Sequence, residues 1–118
     1  MTATIEELET NLNQQILSGQ ALQAFDSFYD DDVVMQEGNQ PPRVGKQSNR
    51  DYEEKFFASI AEFHGAELHA SAVQGDRSFS EWTFDVTLKD GVRVTNTQIA
   101  ARKWKHGKVI WERFYVAS

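Results

Sequence analysis

The chain has 118 residues, of which 40% are hydrophobic and 25% charged, a composition typical of one globular domain and unlike that of a disordered chain. Eighteen acidic side chains against twelve basic ones give a formal net charge of −6, which disfavours binding to nucleic acid. The lack of cysteine excludes disulfides and Cys-based zinc sites, and the lack of a long apolar run predicts a cytoplasmic protein without a membrane segment.

The N-terminal part is predicted to form two helices. Thr4 and Glu7 have the spacing of a capping box. Four apolar residues then recur at helical spacing: Ile5, Leu8, Leu12 and Ile16. A second helix over residues 21–29 is expected to end at the acidic run 30–32, since carboxylates oppose the dipole at a helix C-terminus.

A short strand, a loop and a third helix are predicted next. Residues 33–35 have the character of a strand, and the prolines in the segment 39–45 indicate a loop. Ser48 is the expected N-cap of the third helix, which should end at Gly65. Its apolar residues are Tyr52, Phe56, Phe57, Ile60 and Phe63.

After Gly65 the hydrophobic period changes from 3.6 to 2. This change predicts strands at about 66–74, 78–89, 92–104 and 108–117, separated by turn sequences that contain glycine. Strands of this length twist and curve strongly. We therefore expect a single domain over residues 1–118 with an α+β fold, in which three helices pack on a curved, mainly antiparallel sheet and enclose a cavity.

Several segments resemble known domains. The helix-to-strand segment 28–37, the loop 41–45, Glu81-Trp82 and the ending 107–115 resemble SnoaL-like and ketosteroid isomerase-like domains of the nuclear transport factor 2-like superfamily. The resemblance covers almost the whole chain and implies a cystatin-like cone. Because this superfamily includes isomerases, cyclases, dehydratases, hydrolases and non-catalytic binding domains, the fold does not define the function.

The predicted turns determine which side chains share a face of the sheet. A two-residue turn at Asp90-Gly91 places Glu81 opposite Ala100, and a three-residue turn at 105–107 places Glu112 opposite Ala100 as well. The polar set on one face is then Glu81, Thr83, Asp85, Asn96, Gln98, Glu112 and Phe114. The aromatic set on the other is Trp82, Phe84, Val86, Ile99, Trp111 and Tyr115. Hydrophobicity alone places the aromatic set inward, whereas the resemblance implies that the polar set lines the cavity; we adopt the latter.

Glu37 is the first candidate catalytic residue. The resemblance places it where ketosteroid isomerase-like enzymes carry the Asp that removes a proton next to a carbonyl, and an apolar pocket raises the pKa of such a carboxyl group. A solvated loop position beside Gly38 is the alternative. The two oxyanion-binding groups of those enzymes correspond to Asn13 and Ala100, so the resemblance does not imply steroid isomerisation.

Glu81 and Glu112 are the second candidate catalytic pair. Two carboxylates in one cavity share a proton, which would provide an acid and a base for cyclisation or dehydration. Alternatively, each is exposed or ion-paired, with Arg102 or Arg113 as partner for Glu112.

A small apolar molecule with a carbonyl or hydroxyl group is the expected ligand, with no cofactor. The expected substrate-binding residues are Tyr29, Tyr52, Phe56, Thr83, Asn96, Gln98 and Phe114. For the aromatic residues at helical positions among them, Tyr29, Tyr52 and Phe56, a role in the core is the alternative. The three histidines lack the spacing of metal ligands, so no metal is expected.

Two classes of function remain open from the residues. One is a cofactor-independent acid–base isomerase, cyclase or lyase; the other is a non-catalytic ligand-binding or dimerisation domain. The surplus of large side chains on both faces of the sheet predicts a homodimer.

Overall fold

Nine elements of secondary structure follow one another within residues 2–117, the part of the chain that the computed structural model describes. The helices are α1 (Ile5–Leu17), α2 (Ala21–Phe28) and α3 (Lys46–Ala58). The strands are β1 (Tyr29–Glu37), β2 (Arg43–Val44), β3 (Ile60–Gln74), β4 (Arg77–Leu88), β5 (Arg93–Lys105) and β6 (Lys108–Val116). None of these helices is long and apolar enough to cross a membrane.

The six strands form one sheet in the order β2-β1-β6-β5-β4-β3. Every neighbouring pair is antiparallel except β1 and β6, which are parallel. Interruptions of the register, three of them between β3 and β4, mark bulges, which increase the twist and bend the strands. The helices and the mainly antiparallel sheet confirm the predicted α+β class.

The main core lies between the first two helices and the part of the sheet formed by β1, β6 and β5. Leu12 of α1 and Phe25 of α2 are both buried against it, and Phe25 stacks on Tyr29 with ring centroids 4.6 Å apart. The predicted capping box at Thr4 and Glu7 is confirmed, since each side chain accepts a hydrogen bond from the other residue's backbone N–H.

The third helix is shorter than predicted at its C-terminal end and begins earlier. Gly45 is its N-cap, and the Ser48 hydroxyl donates to the Val44 carbonyl oxygen instead of capping the helix. The helix ends at Ala58, because Ile60 begins β3 and pairs with Leu88 of β4. Tertiary strand pairing therefore overrides the helical spacing of Ile60 and Phe63.

The acidic run after α2 belongs to a strand. Tyr29 leaves the helix in an extended conformation and begins β1, so residues 30–32 extend this strand instead of ending the helix. The expected loop also contains the short strand β2, in which Arg43 pairs with Met35 of β1. This pairing brings Arg43 to the face of the sheet that the helices cover, called the inner face below.

The predicted register between β4 and β5 is wrong by one residue. Glu81 pairs with Ile99, not Ala100, because the turn contains three residues, 89–91, with Gly91 in the left-handed conformation at φ 90°. A change of one residue moves every side chain of one strand to the other face. Glu81 and Thr83 consequently lie on the outer face, whereas Trp82 lies on the inner face and is 1% exposed.

The turn between β5 and β6 also differs from the prediction, but here the side chains of β6 keep their predicted face. It contains two residues, His106 and Gly107, both at positive φ, as in a type I′ turn. A bulge next to Trp104 shifts the register further, so Glu112 pairs with Arg102 and Ala100 with Phe114. The two shifts together preserve the predicted face, and Glu112 and Phe114 lie on the inner face as expected.

Candidate functional site

Two adjacent rows of side chains cross the inner face of the sheet. The strand pairings place Met35, Glu112, Arg102 and Ser78 in one row, with Arg43 at its β2 end. The next row contains Glu37, Phe114, Ala100 and Ser80. Charged and polar groups from five strands therefore meet beneath the helices.

Arg102 is the centre of a buried charge network. Its Nε donates to Glu112 Oε2 at 2.5 Å, and its Nη1 donates to Glu9 Oε2 of α1 at 2.9 Å. The three side chains are at most 2% exposed. Buried charges are tolerated only when they are paired and hydrogen-bonded, so this geometry is a condition for folding.

Neutral donors and acceptors complete the network on the side of α1. Asn13 accepts from Arg102 Nη1 at 3.1 Å and donates to Ser80 Oγ at 2.9 Å. Ser78 donates to Glu9 Oε1 at 2.7 Å and accepts from the Trp104 indole at 2.8 Å. Ser80 donates to the other oxygen of Glu9.

The two carboxylate oxygen atoms of Glu112 have different hydrogen-bond environments. Tyr29 donates its hydroxyl to Oε2 at 2.6 Å, the atom that also accepts from Arg102. Oε1 is buried and has no hydrogen-bond partner among the described residues. Burial raises the pKa of the Glu112 carboxyl group, although Arg102 and Tyr29 act in the opposite direction. Burial and the neighbouring Glu112 charge also raise the pKa of Tyr29 well above its ordinary value.

Glu37 forms an ion pair with Arg43. The guanidinium Nη2 donates to Oε1 at 2.7 Å, and Nη1 lies 2.7 Å from Oε2. Arg43 also donates through Nε to Asn49 and lies 3.5 Å from the centre of the Tyr52 ring. Both carboxylate oxygens of Glu37 therefore lie close to the Arg43 guanidinium, although the buried Oε2 accepts no hydrogen bond from the described residues.

Glu53 of α3 is the acidic residue that the sequence analysis missed. Asn49, Glu53 and Phe57 follow at four-residue intervals and present one face of the helix to the sheet. Glu53 is half-buried, and its enclosure by protein raises its pKa to about 8. The charges of Glu112 and then Glu37 add to this shift, while Arg43 opposes it.

The sequence contained a signal for Glu53 that the apolar pattern of the third helix concealed. Its position four residues after Asn49 and four before Phe57 is the spacing of the sheet-facing stripe. Glu9 stands within the pattern of α1 in the same way, one residue after Leu8 and three before Leu12. A carboxyl group in such a stripe indicates that a charged or polar side chain faces the interior of the protein.

The structure separates Glu81 from the other two proposed catalytic residues, Glu37 and Glu112. Glu81 is exposed on the outer face, so the expected proximity of Glu81 and Glu112 is wrong. Arg102 is the ion-pair partner of Glu112, which was one of the two alternatives. Glu37 and Glu112 share the inner face and both act on Glu53, so the carboxyl groups that the fold brings together are Glu37, Glu53 and Glu112.

The expected binding residues fall into four environments. Asn96, Gln98 and Phe114 lie half-buried on the inner face, as predicted. Thr83 lies on the outer face, where its hydroxyl contacts His69 Nε2 at 2.7 Å, and its predicted place in the cavity is wrong. Two further residues, Tyr52 and Phe56, are exposed at 41% and 46%, and Tyr29 is buried in the core.

Part of the inner face beside α3 is only half-buried, and this region is called the recess below. The helix packs mainly on β1, and Asn96 and Gln98 of β5 and Phe114 of β6 are only half-buried on the inner face. We define the recess by Glu53 and Phe57 on the helix side and by Asn96, Gln98 and Phe114 on the sheet side. Within residues 2–117, no group of three or more His, Asp or Glu side chains has the arrangement of a metal site.

Comparison with solved structures shows the same fold in proteins of diverse origin. A Mesorhizobium loti protein provisionally described as a SnoaL-like polyketide cyclase is 28% identical, with a TM-score of 0.85 over 96% of this chain and 99% of that one. A Xanthomonas campestris protein of unknown function with a cystatin-like fold is 16% identical, with a TM-score of 0.85 over 98% and 92% of the two chains.

A third similar structure contains a small molecule. TerC, co-crystallised with polyporic acid, is 14% identical and has a TM-score of 0.75 over 94% of this chain and 89% of its own. No protein of curated function matches the chain in sequence. The model of the SnoaL-like domain matches residues 12–112, which include β1 to β5, the first half of β6 and Glu37, Glu53 and Glu112. The chain therefore belongs to the family of SnoaL-like domains.

Proposed function

We propose that this chain is a cofactor-independent acid–base enzyme that acts on a small apolar carbonyl or hydroxyl compound in the recess. Isomerisation, cyclisation and elimination all require a proton to move to or from carbon or oxygen next to a carbonyl group. A single carboxyl group that exchanges protons near neutral pH can perform that step.

The observation that carries this proposal is the position of Glu53 on the sheet-facing side of α3, where its surroundings raise its pKa. Its half-buried carboxyl group borders the recess, and a pKa of about 8 leaves it mainly protonated at pH 7, with roughly one-tenth ionised. A general acid or base is most effective when its pKa is near the working pH. The ion pairs of Glu37 and Glu112 keep negative charge beside Glu53 and so maintain this pKa.

The remaining parts of the recess supply orientation. The side-chain amides of Asn96 and Gln98 can donate hydrogen bonds to a substrate carbonyl oxygen, which would stabilise the enolate that forms when Glu53 removes an α-proton. Phe57 and Phe114 provide half-buried apolar walls. The description of the Mesorhizobium loti relative as a polyketide cyclase and the polyporic acid in the TerC crystal support a small-molecule site on this fold.

Exchange of α-protons for deuterium tests the proposal without knowledge of the natural substrate. Small cyclic ketones and diketones in deuterated buffer, followed by NMR, should exchange faster with the protein than without it. Glu53→Gln should reduce the catalysed rate by ~10²-fold or more, because it removes the proton acceptor. The matched control Glu67→Gln changes an exposed carboxylate on β3 and should leave the rate unchanged.

A non-catalytic ligand-binding domain is the second candidate function. The observation that favours it is that Glu37 and Glu112, two of the three carboxyl groups, are occupied by arginines in structural ion pairs. Equal exchange rates for the wild type and Glu53→Gln, together with a Glu53 titration near its ordinary pKa of 4.5 by carboxyl NMR, would support this candidate and refute the enzyme.

A further inference from the structure

The outer face of the sheet has no second layer within residues 2–117. The helices cover the inner face, and Ile99 and Tyr115, which pair across β5 and β6, are exposed on the outer one. The four long strands β3 to β6 cover about 19 Å by 36 Å, or roughly 700 Å², close to the ~800 Å² that each partner buries in a stable interface. The outer face is therefore large enough for a sheet-to-sheet contact.

Small and apolar side chains occupy the middle of this face. The strand pairings place Phe79 beside Ala101 in one row and Ile99 beside Tyr115 in the next. Trp82, which the sequence analysis assigned to this face, is buried on the inner face instead. The apolar surface that remains is smaller than expected, so the charged side chains around it decide which partner fits.

Charged side chains of the outer face are separated by sign along the strands. A basic end lies in two neighbouring rows next to the turn at 75–76 and contains Arg77, Lys103 and Arg113. An acidic end lies toward the turn at 89–91 and contains Glu62, Glu67 and Glu81. Asp85 and Arg93 are also near that turn, but they neutralise each other in an ion pair at 2.7 Å. Three cations at one end therefore match three carboxylates at the other.

The acidic end has no strong cation of its own chain. Within residues 2–117, Glu81 forms no ion pair. His64 lies 3.8 Å from Glu62, and His69 lies 3.9 Å from Glu67, contacts that carry opposite charges only when the histidines are protonated. At neutral pH these carboxylates are consequently available to a cation from another molecule.

Aromatic rings support the basic end. The Arg77 guanidinium lies 5.3 Å from the centre of the Trp111 ring, and that of Arg113 lies 5.0 Å from the centre of the Tyr115 ring. No carboxylate within residues 2–117 forms an ion pair with Arg77, Lys103 or Arg113. Arginine stacked on an aromatic ring is typical of interfaces, because the stacked guanidinium still donates hydrogen bonds through its edges.

Two-fold symmetry determines how these ends meet in a pair of identical sheets. Two sheets that face each other are exchanged only by an axis that lies in the plane between them. An axis parallel to the strands keeps the order of the rows and places like charges together. An axis perpendicular to the strands reverses the order, so the basic end of each copy lies over the acidic end of the other. Only this second arrangement is electrostatically complementary.

We propose that the outer face binds a second copy of the chain, with the strands of the two sheets running in opposite directions. The basic end of each copy pairs with the acidic end of the other, and Phe79, Ile99 and Tyr115 are buried at the centre. The surplus of large side chains predicted a homodimer; the charges add its orientation and the side chains that determine it. This interface lies on the opposite side of the sheet from the recess and is independent of the proposed function.

Charge reversal tests the pairing. The basic-end variant combines Arg77→Glu with Lys103→Glu, and the acidic-end variant combines Glu67→Lys with Glu81→Lys. Each should dimerise at least tenfold more weakly than the wild type by sedimentation equilibrium, because like charges then meet across the interface. All four positions are exposed or half-buried, so the fold should tolerate these changes, which circular dichroism verifies.

Combining all four substitutions in one chain exchanges the two ends and keeps the net charge at −6. This quadruple variant should recover the affinity of the wild type, because every contact again joins opposite charges. The matched control combines Glu6→Lys with Asp51→Lys, which alter the net charge as much as the acidic-end variant does but lie on exposed helix positions. Its dimer affinity should equal that of the wild type.

Spin labels measure the orientation. The chain has no cysteine, so Asp90→Cys in the turn at 89–91 allows a single label on each copy. Double electron–electron resonance should give a distance on the order of 60 Å, because the two turns lie at opposite ends of the dimer, whereas parallel strands would give on the order of 20 Å.

Three results would overturn the inference. A wild-type monomer would leave the outer face to a different protein or to solvent. Equal dimer affinities in the wild type and both double variants would place the dimer contact on another surface. A label distance near 20 Å, or a quadruple variant as weak as the double variants, would show that the charges do not determine the arrangement.

Discussion

Arg102 Nε and Glu112 Oε2 are 2.5 Å apart, and both side chains are excluded from solvent. The pair connects β5 with β6, and the second contact of Arg102, with Glu9, connects the sheet with α1. The charged side chains that hold α1 on the sheet are thus the ones that place Glu112 next to the recess.

The first prediction concerns this pair. Arg102→Met should lower the free energy of unfolding by ~3–5 kcal/mol, because it leaves Glu9 and Glu112 buried without a cation. Urea denaturation monitored by tryptophan fluorescence measures the loss. Arg93→Met is the matched control, since the Arg93–Asp85 pair lies on the exposed side of the β4–β5 hairpin and should be worth less than ~1 kcal/mol. Similar small losses in both variants would show that the buried network does not hold the fold together.

The second prediction concerns the pH dependence of stability. The Glu53 pKa is about 8 in the folded protein and near 4.5 in the unfolded chain, so between these values the folded state binds more protons. Stability should therefore decrease as the pH rises from 4.5 to 8, by up to ~1.4 kcal/mol per pH unit, and level off above 8. The raised pKa of Glu112 acts in the same direction.

The variant Glu53→Gln isolates this contribution. Its stability should exceed that of the wild type at pH 8.5, with a difference that shrinks toward zero at pH 4.5. Urea denaturation at a series of pH values measures both proteins. Parallel curves for the two proteins between pH 5 and 9 would contradict the raised pKa.

The third prediction concerns the turn between β5 and β6. Gly107 has φ 76° and its missing Cβ would meet open space, so Gly107→Ala should cost ~1 kcal/mol through backbone strain alone. His106 has φ 53°. His106→Asn should stabilise the turn by roughly a few tenths of a kcal/mol, because Asn adopts the left-handed conformation more readily than His.

Gly65 provides the control for this prediction. Its position in β3 also has open space around a Cβ, but its φ is not in the left-handed region. Gly65→Ala should therefore be neutral or slightly stabilising by thermal denaturation. A loss equal to that of Gly107→Ala would mean that space, not backbone conformation, determines the cost.

The fourth prediction is the homodimer. The structure moves Trp82 and Phe84 to the inner face, but Ile99, Trp111 and Tyr115 remain on the outer face, where Ile99 is 40% and Tyr115 47% exposed. Burial of this surface in a two-fold dimer would give a mass of about twice 13.5 kDa by sedimentation equilibrium. Ile99→Lys should shift the equilibrium to monomer, whereas Val92→Lys next to the β4–β5 turn should not. A wild-type monomer at millimolar concentration would refute the dimer.

The spacing of the hydrophobic residues and the turn sequences predicted most of the helices and strands. The capping box at Thr4, the stripe of α1 and the hairpins at Gly75, Gly91 and Gly107 lie where they were predicted, because each depends on residues adjacent in sequence. The length of α3 was not determined in this way. Residues 60–65 are consistent with either a helix or a strand, and pairing with β4 decides between them.

The sheet-facing side chains were decided by the conformation of two turns. One additional residue in the turn at 89–91 moved Glu81 and Thr83 away from the recess, and a bulge at Trp104 compensated for the shorter turn at 106–107 so that Glu112 kept its face. Sequence patterns identify a turn but do not define its length to one residue, and one residue inverts a strand.

The sequence by itself determined the class of fold, the positions of the helices and hairpins and the acidic character of the chain. Only the tertiary structure decided that Glu9, Arg102 and Glu112 form one network, since these residues are far apart in the chain and meet through α1, β5 and β6. It alone also brought Glu53 close to Glu112 and Glu37 in the surroundings that raise its pKa to about 8. The physical reason is that a pKa depends on burial and on neighbouring charges, which a linear sequence does not contain.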